Sequence, residues 1–152
     1  NLAHPYPLIM LHIFRHTLLL LMVVLTACQS STPQQSEARQ KDEAKAVTIL
    51  AKARTALYQK RYNDAKKYLR SLRSTCPLAL NGRENGILLM DSIEIASTAD
   101  RLRVADSLVQ DEMQRRGSVN AQTQAHFDEL CQQAKFYHRK LQHDKDQRKN
   151  HD

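Results

Sequence analysis

The residues of this chain best suited to chemistry are its cysteines, and Cys28 has the most informative surroundings. It follows the aliphatic run 17–25 and the small pair Thr26 and Ala27, and Arg15 stands before the run. A basic residue, a short apolar run and small residues before a cut are typical of a secretory signal peptide. The run is too short for a membrane helix, which needs about 20 apolar residues. The pattern predicts cleavage that leaves the Cys28 thiol at a new N-terminus.

A motif that resembles a bacterial lipobox is formed by Leu25, Thr26, Ala27 and Cys28. The resemblance implies a small bacterial lipoprotein whose Cys28 thiol is alkylated with diacylglycerol. Two or more acyl chains hold a protein durably on a bilayer, at about 0.8 kcal/mol per buried methylene. Because Gln29 rather than Asp follows the cysteine, the resemblance implies the outer membrane of the cell envelope rather than the inner one. The alternative is a secreted protein in which Cys28 is not modified.

The composition predicts an all-α fold. Three glycines, four prolines and no tryptophan in 152 residues leave too little turn chemistry for a β-sandwich or a β-barrel. The chain after Cys28 is rich in residues that favour helices. We expect a repeat-like helical hairpin, followed by a longer antiparallel, coiled-coil-like helical hairpin. The expected segments are a signal peptide (1–27), the lipidated cysteine with a polar tether (28–36), the repeat-like hairpin (37–77), the long antiparallel helix pair (78–141) and a charged, disordered tail (142–152). Within the first segment, Met10 is the expected start of translation.

The first hairpin is predicted from a cap, a proline and the spacing of small residues. Ser36 can cap its first helix, and the second helix should end before Pro77 because a residue that precedes proline is forced out of helical geometry. Residues at the spacing of a tetratricopeptide repeat are Ala53, Ala65, Leu69 and Pro77. The hairpin therefore resembles one such repeat. Together with the lipobox, this layout is similar to small helical lipoproteins of Gram-negative envelopes.

The second hairpin is predicted from heptad spacing. Apolar residues recur every seven positions at Leu88, Ile95, Leu102 and Val109. Gly117 is a natural end for this third helix, and Asn120 can cap a fourth that folds back on it. The fourth helix carries an apolar seam at Phe127, Leu130, Ala134, Tyr137 and Leu141. Since the seam is short for an independent coiled coil, we expect it to be a surface for a protein partner or for self-association.

Two further groups of residues each allow two interpretations. Cys76 and Cys131 could form a disulfide in an oxidising compartment, or they could remain thiols that pack as small hydrophobic side chains. Tyr58, Tyr62 and Tyr68 either pack the first two helices together or line a short peptide-binding groove.

Catalytic and metal-binding patterns are not found in the sequence. His126, His138 and His143 are twelve and five residues apart, which is not the spacing of a chelating pair on a helix. The chain has neither a nucleophile elbow nor a glycine-rich phosphate loop. We therefore predict that the protein is not an enzyme and binds no metal, cofactor or small-molecule substrate.

The charge balance leaves two functional hypotheses. After removal of residues 1–27 the chain holds 22 basic and 16 acidic residues, a surplus spread along its length. The first hypothesis is a lipid-anchored helical interaction or scaffold module in the envelope, which does not bind nucleic acid. The alternative is a binder of anionic lipid headgroups or lipopolysaccharide through a basic C-terminal segment. That segment carries Lys135, Arg139, Lys140, Lys145, Arg148 and Lys149.

Overall fold

A computed structural model describes residues 36–150 of the chain. Over this range the structure has four α-helices and no strand, and the predicted all-α fold is confirmed. The helices are α1 (Glu37–Tyr58), α2 (Tyr62–Thr75), α3 (Leu80–Arg116) and α4 (Ala121–Lys149). The predicted signal peptide, the lipobox and all of the tether except Ser36 lie outside the described residues.

Three helix ends are set by residues next to them in the chain. The Ser36 hydroxyl accepts a hydrogen bond from the Arg39 backbone N–H at 3.3 Å, and α1 begins at the next residue. The Asn120 side chain accepts from the Gln122 N–H at 2.7 Å and caps α4 in the same way. Gly117 ends α3 with φ 68°, the left-handed conformation that favours glycine. These local signals are the ones on which the prediction of the helix ends depended.

The start of α3 is set by a residue on another helix. Ala79, at its N-cap position, makes no side-chain capping bond. Instead the Glu43 carboxylate of α1 accepts hydrogen bonds from the backbone N–H groups of Asn81 at 3.0 Å and Gly82 at 2.9 Å. A carboxylate at this end of a helix satisfies free N–H groups and complements the helix dipole. The capping bonds also fix α1 against α3.

The hydrophobic core lies where α1, α2 and the first half of α3 meet. Small residues allow the helices to approach closely: a Cβ added at Gly82 of α3 would collide with the Cβ of Ala46 on α1. Ile93 of α3 is the bulkiest side chain of this cluster that is fully buried. The other fully buried members are Ala46, Ala53, Ala56, Ala65, Cys76 and Ala79.

The helices α3 and α4 run antiparallel, as the second predicted hairpin requires. Four side-chain hydrogen bonds join the two helices, and they pair the end of α3 with the start of α4 and the start of α3 with the end of α4. The pairs are Glu112 with Thr123 (2.9 Å), Arg101 with Gln133 (3.3 Å), Asp91 with Lys140 (2.7 Å) and Asn85 with Arg148 (2.8 Å). The heptad residues of α3 lie half-buried along this hairpin, at Leu88, Ile95, Leu102 and Val109.

The expectation of a disordered tail after Leu141 is not met, because α4 continues to Lys149. Bonds one turn apart support this extension: Lys140 pairs with Asp144 at 2.7 Å, and the Gln142 amide donates to Asp146 at 3.0 Å. Composition suggested disorder because residues 142–149 include no apolar side chain. The ion pair of Asp144 with Lys140 and the hydrogen bond from Arg148 to Asn85 of α3 take the place of apolar packing here.

Candidate binding groove

The helices α2 and α4 both pack on α3, but within residues 36–150 no Cα atom of one lies within 8 Å of a Cα atom of the other. The space between them is a groove with α3 as its floor, which we call the α2/α4 groove. Its apolar part has a volume of about 480 Å³, within the range of ligand sites. This part is lined by Leu69, Arg70, Leu72, Arg73, Arg83, Gly86, Ile87, Met90, Asp91, Glu94, Phe136, Tyr137 and Lys140.

The groove exposes apolar side chains from α3 and α4. Ile87 on the floor is 48% exposed and Phe136 on the α4 wall is 55% exposed. The half-buried Met90 also lines this part, and the rings of Phe136 and Tyr137 pack edge to face with their centroids 5.3 Å apart. Large apolar side chains that converge in a concavity are typical of a binding surface.

A polar stretch extends the groove along the same two walls. Glu94, Phe136 and Tyr137 line both the apolar part and this extension, so the two are continuous. The cations that line the whole groove are Lys66, Arg70, Arg73, Arg83, Arg101, Lys135, Arg139 and Lys140. Among residues 36–150, the carboxylates that line it are those of Asp91 and Glu94.

Both groove carboxylates are already engaged by lysines. Lys66 on α2 pairs with Glu94 at 2.7 Å, and Lys140 on α4 pairs with Asp91 at 2.7 Å. The remaining six cations of the groove have no carboxylate within 4.0 Å in residues 36–150. The groove therefore presents a net positive surface around an apolar centre.

Asp91 is the most deeply buried charged residue of the groove, with 2% of its surface exposed. Burial raises its pKa, the bond from Lys140 opposes that rise, and the nearby Asp144 adds to it. The Lys140 bond lowers the pKa of Asp144. The second carboxylate oxygen of Asp91, Oδ2, is buried without a hydrogen-bond partner among the described residues. A proton on that oxygen would remove the cost of burying it charged.

Comparison of the chain with known protein families, curated proteins and solved structures gave no match. Any ligand of the groove therefore has to be inferred from the chemistry of the groove itself. Residues 36–150 contain no cluster of three or more His, Cys, Asp or Glu side chains placed to hold a metal ion. Over the same range, no helix has the length and apolarity needed to cross a membrane.

The predicted seam of α4 largely packs inside the hairpin. Leu130 is fully buried and, since α3 is the only described helix whose backbone lies close to α4, it packs against α3 and is not available to a partner. Phe127, Ala134 and Leu141 are half-buried. Tyr137 is also half-buried, and it is the one seam residue that lines the α2/α4 groove. Tyr137 is therefore the seam residue that the groove shares, and a partner surface on the half-buried seam residues stays a prediction.

The two cysteines of the described chain are free. Cys76 is buried just before α3 begins, and burial raises the pKa of its thiol. In the antiparallel register Cys131 lies beside the region of Arg101, whose bond partner is Gln133. About 20 residues of α3, or roughly 30 Å at the helical rise, separate the two cysteines. A disulfide requires Cα atoms within about 7 Å, so this fold does not allow the bridge.

The three tyrosines separate into two kinds. Tyr62 and Tyr68 are half-buried and pack against the core, as the packing interpretation expects. The Tyr62 hydroxyl donates to Asp100 of α3 at 2.7 Å, and this bond and the one from Lys60 lower the pKa of that carboxyl. Tyr58 is 90% exposed. None of the three lines the α2/α4 groove.

Sequence reasoning missed the groove because its residues belong to three helices. Arg70 and Arg73 on α2 carry the signal that could have indicated it: they are exposed cations on one helix face, and the described chain offers them no acidic partner. Ile87 and Met90 lie outside the heptad series of α3, which gives a second signal. Neither signal shows that α2 and α4 flank the same face of α3.

Proposed function

We propose that this protein is a lipid-anchored, non-catalytic helical module that holds a protein partner at the envelope membrane. The observation that carries the proposal is the α2/α4 groove, where exposed apolar side chains lie among cations that have no acidic partner. The anchor is the lipid proposed on Cys28, and the outer membrane is the proposed location.

A binding role suits the groove better than a catalytic one. Its two carboxylates, Asp91 and Glu94, are each held in an ion pair with a lysine from a wall helix. These pairs brace α2 and α4 against α3, so the walls are fixed before a partner arrives. A surface that is ordered in advance loses less conformational freedom on binding.

Crosslinking in cells tests the proposal. A photoreactive amino acid replaces Phe136, which is 55% exposed in the groove, or Tyr58, which is 90% exposed on α1 outside it. We expect a discrete adduct with one protein partner from position 136 and none from position 58. No adduct from position 136, or the same adducts from both positions, would contradict the groove as the binding surface.

The anchor requires its own test. Cys28→Ala removes the only thiol that the lipobox resemblance assigns to lipid. We expect the variant to leave the membrane fraction and to lose the adduct at position 136, while its helix content by circular dichroism stays unchanged. A variant that stays with the membrane at high salt would contradict the lipid anchor.

The alternative function is binding of anionic headgroups through the basic C-terminal segment. Two cations of that segment already form bonds within the chain. Lys140 is held by Asp91 and Asp144, and Arg148 by Asn85. Truncation after Leu141 tests this function on vesicles that contain phosphatidylglycerol. Loss of salt-sensitive vesicle binding in the truncated chain, with the adduct at position 136 retained, would favour the alternative.

A further inference from the structure

We infer that the occupant of the α2/α4 groove is an acidic amphipathic helix of the partner protein. The inference rests on the proposed function, since it names the chemistry of the partner for the same groove. Three features of the groove lead to it: the apolar centre, the placement of the cations and the length.

The apolar centre has the form of a helix-binding stripe. Ile87 and Met90 lie three residues apart on α3 and so share one of its faces. Phe136 on the α4 wall stands beside them with more than half of its surface exposed. An amphipathic helix fills such a stripe with side chains at positions i, i+3, i+4 and i+7.

The cations stand on both walls. Arg70 and Arg73 lie on the α2 wall of the apolar part, and Lys135 and Arg139 lie on the α4 wall of the polar extension. A ligand with one anionic group at the end of an apolar chain would reach one wall. A helix with an apolar stripe and acidic residues along both flanks would meet both walls at once. Complementary charge on each side would also fix its register and suppress basic competitors.

The length of the groove suits a helix. Arg83 and Arg101 of α3 line its two parts, 18 positions apart. At the helical rise this is about 27 Å, or five turns of a bound helix. The chain itself does not supply the occupant from its N-terminal part, because residues 1–35 include no Asp or Glu.

A synthetic peptide provides the probe. It has about 18 residues, with leucines at helical spacing and glutamates on both flanks, and its control carries lysines in place of the glutamates. Binding to the full chain in phosphatidylcholine nanodiscs is followed by fluorescence anisotropy. We expect saturable binding of the glutamate peptide and none of the lysine peptide.

Charge reversal then locates the binding site. Arg73→Glu with Arg139→Glu reverses one cation on each wall, and Arg54→Glu with Arg116→Glu makes the same charge change at exposed positions away from the groove. We expect the groove variant to bind the glutamate peptide about tenfold more weakly and the control variant within about twofold of wild type. The groove variant should also gain affinity for the lysine peptide. Circular dichroism confirms that both variants remain folded.

The remaining outcomes overturn the inference. Equal weakening by the two variants would mean that net charge, not the groove, attracts the peptide. Binding of phosphatidylglycerol vesicles that depends on Arg73 and Arg139, without peptide binding, would identify a lipid as the occupant. If the glutamate peptide does not bind but the crosslinked adduct at position 136 still forms, the inference is wrong and the proposed function stands with another kind of partner. If both fail, both proposals fall.

Discussion

Asp91 illustrates how one residue links the groove to the pH dependence of the fold. Its pKa is raised from the ordinary value of 3.8, which means that the Asp91 carboxylate binds a proton more tightly in the folded chain than in the unfolded chain. The free energy of unfolding therefore falls as pH rises from 3.8 through the raised pKa. Asp144 acts in the opposite direction. Its pKa is lowered, and the stability that it contributes above pH 3.8 is lost as pH falls through its folded pKa.

The variant Asp91→Asn should remove the part of the pH dependence that Asp91 causes. The amide cannot ionise. The free energy of unfolding of the variant should therefore rise relative to that of wild type as pH rises above 3.8. Urea denaturation between about pH 4 and pH 7 measures this difference. Asp128→Asn, at an exposed carboxylate of α4, is the control for the same change in charge. Parallel stability curves for wild type and Asp91→Asn would contradict the assignment.

At the scale of the helices, the sequence predicts an end well when the residue that fixes it is a neighbour. Ser36, Asn120 and Gly117 are local signals, and the ends that they predict are found. The start of α3 could not be predicted in this way, because its cap is Glu43, almost 40 residues earlier. The end of α4 lies beyond the predicted Leu141 for a similar reason: Arg148 near that end donates a hydrogen bond to Asn85 on α3.

Removal of the Glu43 carboxylate should weaken the start of α3 and its attachment to α1. We expect Glu43→Ala to lower the free energy of unfolding by about 1 kcal/mol, the usual cost of a lost capping bond. Urea denaturation measures the change. Glu84→Ala removes an exposed carboxylate from the first turns of α3 and should cost less. Equal losses in the two variants would show that the bonds that Glu43 accepts from Asn81 and Gly82 do not stabilise the helix.

Truncation after Leu141 tests whether the end of α4 is ordered. The stop removes Asp144, which pairs with Lys140, and Arg148, which bonds to Asn85. We expect less helix by circular dichroism and a Tm lower by about 4 °C or more, the shift that a loss of roughly 1 kcal/mol produces in a domain of this size. If residues 142–152 were disordered, the helical signal would lose nothing and the Tm would stay constant.

At the scale of the whole molecule, the groove arises from topology rather than from any one stretch of sequence. The heptad seam of α4 was readable from its spacing, and it packs on α3 in the hairpin. Arg70 and Arg73 do not locate the groove by themselves, because nothing in the sequence of α2 indicates that α4 flanks the same face of α3. The sequence thus predicted the helices and most of their ends but not the surface that they create together.

The same topology separates the two cysteines of the described chain. We expect Cys76 and Cys131 to remain thiols after export to an oxidising compartment, because the fold keeps them roughly 30 Å apart. Both should react with a thiol reagent in denaturant without prior reduction. A reducing agent should leave the Tm unchanged. A thiol count that rises only after reduction would contradict the antiparallel register of α3 and α4.

The antiparallel hairpin also decides where a reporter can be attached. Arg39 near the start of α1 and Arg148 near the end of α4 line one cavity with Leu80, the first residue of α3. The opposite end of α3 is its exposed turn at Gly117, about 55 Å away for a helix of 37 residues. A fluorescent protein fused to the C-terminus would therefore lie close to the start of α1. One inserted after Gly117 would stand clear of both the entry point and the groove.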